Sequence, residues 1–150
     1  QGTSIFFAVY SLFRQWNHNY KIKIINKHSQ YKGKLLDFGA GTGSFVQFAN
    51  TKGWQSEGFE PNTKAHGPKV KYQPKWTNPK SYHVITAWHV VEHLPNPKSF
   101  FVQALKSLAD NGNYLLLCRI INLGTQTNAA QCGPVMMFQD ICGISRQRGL

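Results

Sequence analysis

The residues best suited to chemistry in this chain are Asp37-Phe38-Gly39-Ala40-Gly41-Thr42-Gly43, an acid followed by a glycine-rich run. Glycines let the main chain turn sharply and let a ligand approach it without meeting a Cβ. A helix is predicted directly after the run, and the first N–H groups of a helix lack intrahelical partners. Two nucleotide-binding patterns compete for this loop. A dinucleotide fingerprint needs G-x-G-x-x-G, but Gly43 comes one place early and Ser44 holds the expected position. A Walker-type loop needs Gly-Lys-Ser/Thr, which is absent. The acid before the first glycine points to a third class. Further along, Glu60 and Pro61 close the stretch SEGFEP. Glu60 is either a surface acid ending a strand or a carboxylate placed to accept hydrogen bonds from a ligand. His89 follows an apolar run and is either a general base or a histidine that braces its loop. His89, Glu92 and His93 spell H-x-x-E-H, but Leu94-Pro95 ends the segment before a helix could present both histidines, so no metal is expected.

Positioning these groups requires alternating strands and helices. KLLDFG, from Lys34, is a short apolar run closed by glycine, the pattern of a buried parallel strand. The helix after Gly43 carries Phe45, Phe48 and Ala49 on one face and stops at Gly53. SEGFEP gives a second strand, Lys69 to Tyr72 a candidate third, and Tyr82 to Trp88 a strong one rich in β-branched and aromatic residues. Pro97 opens a helix with Phe100, Phe101, Ala104, Leu105 and Leu108 on its apolar face, and NYLLLC follows as a strand. The alternation predicts an α/β domain with a mostly parallel sheet. Residues 4 to about 28 are helical by spacing, as one helix or two, with Tyr10, Leu12, Phe13, Trp16 and Tyr20 recurring.

Over about residues 30–118 the chain resembles the class I S-adenosylmethionine-dependent methyltransferases. LLDFGAGTGSF is similar to their first motif, GFEP to the acidic end of their second strand, and YHVITAWHVVEHLPNP to their fourth strand and following loop. The WHVVEHL segment resembles the branch that includes quinone-biosynthesis O-methyltransferases. The resemblance implies a Rossmann-like three-layer sandwich, S-adenosylmethionine as cofactor and a small-molecule methyl acceptor. It implies that Gly39, Ala40, Gly41 and Gly43 lie against the carboxypropyl part of the cofactor, with Asp37 anchoring the loop and its bound water or ammonium group. Glu60, beside Pro61, would accept from both ribose hydroxyls, and Trp88 and His89 would lie near the sulfonium, with His89 the candidate catalytic base. One departure is His83, where family members commonly carry Asp. If that Asp shapes the cofactor pocket, His83 argues for a non-catalytic cofactor-binding domain. The N-terminal helix, through Phe6, Phe7, Tyr10 and Phe13, is expected either to wall the substrate site or to pack on the sheet.

Composition bounds the rest. The 150 residues are 41% hydrophobic and 15% charged, which excludes disorder and coiled coil. Seventeen Lys and Arg against six Asp and Glu leave +11, which favours anionic partners and keeps a nucleic-acid-binding module as an alternative. The Lys-rich stretch from Lys64 to Lys80 lacks the alternation of aromatics and bases that stacking platforms use, and Trp76 alone makes none. No apolar run is long enough to span a membrane, and SIFFAVYSLF lacks the flanks of a signal peptide, so a cytoplasmic location is expected. The chain starts at Gln1, which suggests a fragment. Cys118, Cys132 and Cys142 form neither a disulfide framework nor a zinc pattern. Expected divisions are a helical segment (1–29), a cofactor-binding core (30–118) and an atypical tail (119–150). Beyond Cys118 the periodicity stops. With each codon's last base read with the next codon's first two, Gln131 to Gln147 can spell MWASYDVPRHLWHFSP. That string resembles the W-x-x-Y-D-V-P-R-H-L-x-H-F segment following the fifth strand in this branch. A shifted reading frame is therefore expected over 119–150, with C-terminal strands missing or degraded. A divergent extension is the alternative.

Overall fold

The computed structural model describes residues 2–29, 31–110, 114–118 and 136–137. Five strands form one sheet: β1 (Lys34–Phe38), β2 (Gln55–Phe59), β3 (Val84–Trp88), β4 (Tyr114–Cys118) and β5 (Met136–Met137). Their spatial order is β2-β1-β3-β4-β5. The first four are mutually parallel, with Asp37 opposite Gly58 on one side and Thr86 on the other. The chain steps from β1 to β2 in one direction and then crosses back to β3, so strand order reverses at β1. In an open parallel sheet that reversal opens a crevice at the carboxyl ends of the strands.

Period-two alternation assigns the side chains to two layers. Leu35 and Val84 face α1 (Gly2–His28) and α2 (Ser44–Thr51), where they pack with Ile22, Ile25, Phe45 and Trp88. Leu36 and Ile85 face the opposite side, with Phe38, Trp76, Tyr82 and Phe100 of α3 (Pro97–Ser107). The arrangement is the expected three-layer α/β sandwich. Asn96 caps α3 by accepting from Ser99 N at 3.0 Å, and Pro97 occupies its first turn. Ile25 is fully buried, so the second half of α1 is part of the core. Ile25→Ala should destabilise the fold by about 2–5 kcal/mol, read by denaturant unfolding; a cost below 1 kcal/mol would detach α1 from the core.

Several expectations change. Residues 69–72 make no strand, only a single parallel bridge from Gly58 to Tyr72. Lys69 takes a φ of 61° between Pro68 and Val70, which breaks extended structure. The inward stripe of α3 is Phe100, Ala104 and Ser107, which leaves Leu105 exposed, and in α2 Val46 is buried while Phe48 is only half-buried. α1 is one helix, yet Phe7, Tyr10, Leu12, Phe13 and Trp16 are exposed. Its sheet-facing residues are His18, Ile22 and Ile25. The edge of β4 is paired, over Leu116 and Leu117, with the two-residue antiparallel β5. The rest of 119–150, and with it the expected frame shift, lies outside the described residues.

Candidate cofactor and active site

The carboxyl ends of β1, β2 and β3 bring the loop, Glu60 and His89 to one edge of the sheet. Gly39 N and Ala40 N both donate to Phe59 O, at 2.8 and 3.1 Å, which ties the loop to the end of β2. Gly39 and Gly41 have φ of +77° and +52°, and Gly43 (φ +69°) begins α2 without a side-chain cap. At Gly39 a Cβ would lie 2.3 Å from Val90 Cγ2, so that position is closed by packing. At Gly41 a Cβ would meet no atom of the described residues within 4 Å. The space beside Gly41 is open.

Glu60 uses both carboxylate oxygens locally. Oε2 accepts from Gly41 N at 3.1 Å and Oε1 from Asn62 N at 2.9 Å. Each oxygen retains a further lone pair. A cleft of about 570 Å³ runs beside it, walled by Pro61, His66, Tyr72 and Gln73 among others. Tyr72 is a site residue that the sequence pattern does not single out. Its Oη donates to Gly41 O at 2.9 Å and accepts from Gly67 N at 2.9 Å, and its ring stacks on His66 at 3.7 Å.

Asp37 is buried on the α1–α2 side of β1, where Thr86 Oγ1 donates to its Oδ1 at 2.7 Å. Burial raises its pKa from 3.8 to about 6, against the opposing pull of Lys21 and of the Thr86 hydrogen bond. Lys21 is the second residue that local pattern does not reveal. α1 places its ammonium 4.7 Å from the Trp88 ring and 5.1 Å from the Phe45 ring, a cation–π arrangement. Trp88 is the last residue of β3 and packs edge-on against Phe45. Its buried Nε1 has no hydrogen-bond partner among the described residues. His89 follows in the left-handed region at φ 56°, a conformation that costs energy for a non-glycine residue and is held by its surroundings. Its Nδ1 lies 3.8 Å from Glu92 Oε1, too far for a hydrogen bond.

His83 sits elsewhere. It precedes β3 at the amino edge of the sheet, where Nδ1 accepts from Lys34 N at 2.9 Å and the ring meets Tyr31 edge-on. The glycine loop is at the other end of the strands, so His83 has no direct part in shaping it. Trp76 is buried against Phe38 and Phe100 and offers no face for stacking.

An open doubly wound sheet with a glycine loop at its switch point defines the Rossmann-like class. Residues 13–133 match the family model described as a methyltransferase domain, and the chain belongs to that family. Solved structures share the fold. An S-adenosylmethionine-dependent methyltransferase from Archaeoglobus fulgidus is 20% identical with a TM-score of 0.56, over 72% of this chain and 57% of that one. One from Methanosarcina mazei is 19% identical with a TM-score of 0.55, over 65% and 57%. Phosphoethanolamine N-methyltransferase 2 of Haemonchus contortus, solved with S-adenosyl-L-methionine, is 18% identical with a TM-score of 0.57, over 73% and 30%. The chain thus spans between 30% and 57% of these three proteins. No curated protein matches the sequence.

Proposed function

We propose that this domain binds S-adenosylmethionine over the carboxyl ends of β1, β2 and β3 and directs its methyl group to a small-molecule acceptor. The observation that carries the reading is the pairing of Gly41 with Glu60. An open glycine loop is held by the carboxylate that ends the neighbouring strand, at the crevice of the switch point. The residues present fit the cofactor, since among the described residues the approach to Gly41 is clear and nothing takes the proton of the buried Trp88 Nε1. When bound, S-adenosylmethionine supplies an electrophilic methyl on a sulfonium. Gly41, in the loop that Gly39, Ala40 and Gly43 complete, receives its amino-acid end, and Asp37 supplies negative charge for the ammonium. Glu60 accepts from the ribose hydroxyls with its remaining lone pairs, while Pro61 and Tyr72 wall the cleft. His89, at the carboxyl end of β3, serves in this reading as the base that takes the proton of an acceptor hydroxyl. Much of the catalysis is alignment of donor and acceptor, so the chain's main contribution is position.

Glu60 tests this reading. Glu60→Ala removes the acceptor for two hydroxyls and also releases Gly41 N, so affinity should fall by about 1–3 kcal/mol in calorimetric titration with S-adenosylmethionine. Glu60→Gln, which keeps one acceptor oxygen, should lose less. Equal affinity in Glu60→Ala and wild type, or no binding by the wild type, overturns it.

A further inference from the structure

The first half of α1 leaves on the surface large apolar side chains that a helix serving only its own domain would bury, Phe7 and Tyr10 among them. At 3.6 residues per turn, Val9, Leu12, Phe13, Trp16 and Tyr20 fall within one arc of about 100°. That arc is opposite the buried His18, Ile22 and Ile25, and its Val9, Leu12, Phe13 and Trp16 are 45–69% exposed. Trp16 and Tyr20 stack along it at 6.1 Å. The same arc continues into Lys23 and Lys27, both exposed. The helix contains no Asp or Glu, and the chain carries +11. Among the described residues no helix is long and apolar enough to cross a membrane, so a spanning role is not what this arc serves.

We propose that α1 docks the protein on an anionic lipid surface, with the aromatic arc entering the headgroup boundary and Lys23 and Lys27 meeting lipid phosphate and carboxylate groups. A convex row of Trp, Tyr, Phe and Leu suits a bilayer interface, where aromatic side chains bury an apolar body and keep a polar end wet. Basic residues on the same face add attraction to an acidic leaflet. A second copy of the chain fits less well: pairing through this arc joins two chains of +11 with no acid on either helix.

The test uses the full chain and the emission of Trp16, because Trp54, Trp76 and Trp88 are buried. Vesicles of phosphatidylcholine containing one-third phosphatidylserine should shift Trp16 emission to the blue and sediment with the protein. Pure phosphatidylcholine should bind at least about tenfold more weakly. Leu12→Ser/Phe13→Ser should lose binding by roughly tenfold or more while keeping the wild-type circular dichroism. Lys23→Glu/Lys27→Glu should lose a similar factor on the acidic vesicles. Any one of three results overturns the proposal: no shift with acidic vesicles, a shift with single-stranded RNA alone, or a dimer in light scattering that only Leu12→Ser/Phe13→Ser dissolves.

Discussion

Gly41→Val should abolish measurable S-adenosylmethionine binding, by roughly 100-fold or more (about 3 kcal/mol), in a protein that still folds. The expectation rests on a contrast within one loop. A Cβ at Gly39 would strike Val90, whereas a Cβ at Gly41 points into open space. Protein atoms therefore do not oppose a valine at Gly41, and its main internal cost is the left-handed φ of 52°, about 1–2 kcal/mol for an L-residue. That cost lowers the melting temperature by several degrees without unfolding the domain. Gly41 N can still donate to Glu60, and Gly41 O can still accept from Tyr72. The ligand, by contrast, meets an isopropyl group where it would meet bare backbone. Gly39→Val is the paired control and should lose stability outright. Calorimetric titration and thermal unfolding of both variants read the prediction. A folded Gly41→Val protein with wild-type affinity would remove the loop from the site.

β1 and β3 were legible because burial on both faces demands short apolar runs: Leu35, Leu36 and Phe38 lead into Gly39, and VITAW lies between His83 and His89. The acid at the end of β2 was legible for another reason: Glu60 falls between Phe59, which closes the strand, and Pro61, which cannot continue it, and this leaves its side chain at the carboxyl edge of the sheet. Other features depend on docking. Helical spacing groups Leu12, Phe13, Trp16 and Tyr20 on one face, but it does not say which face turns inward. Ile22 and Ile25 decide that, and they put the aromatic face outside. Once they are docked, Lys21 is carried beside Phe45 and Trp88, a placement without any local signature. Its spacing from His18 and Ile25, three and four residues along the inward face, is the signal that could have found it. Tyr72 was hidden for a different reason. It lies in a Lys- and Pro-rich connection that carries no strand pattern and meets β2 through one bridge to Gly58 and through the bonds of Lys71 and Gln73 to Glu57.

The burial of Asp37 leads to the second large effect, in which removing a charge stabilises the protein and weakens its site. Burial is the largest influence on this carboxyl and lifts it from 3.8 to about 6; Lys21 and the Thr86 hydrogen bond only partly offset it. Between these two values the folded protein holds a proton that the unfolded chain has released. Stability therefore falls as pH rises across that window, by about 3 kcal/mol. His18 runs the other way. Burial, with Lys21 and Arg14 nearby, lowers it from 6.5 to about 4, so its contribution rises with pH and masks that of Asp37 in the wild type. Asp37→Asn separates them, because His18 is common to both proteins. The stability of Asp37→Asn minus that of wild type should climb by about 3 kcal/mol from pH 4 to pH 7 and then level off. Denaturant unfolding at several pH values measures it, and a difference independent of pH would mean that Asp37 folds without a burial cost. If the carboxylate faces the cofactor's ammonium, the same charge must form when the ligand binds. Wild-type affinity for S-adenosylmethionine should then drop as pH falls below 6, approaching tenfold per unit, while Asp37→Asn binds weakly and without that slope. Parallel pH profiles in the two proteins would place the ammonium elsewhere.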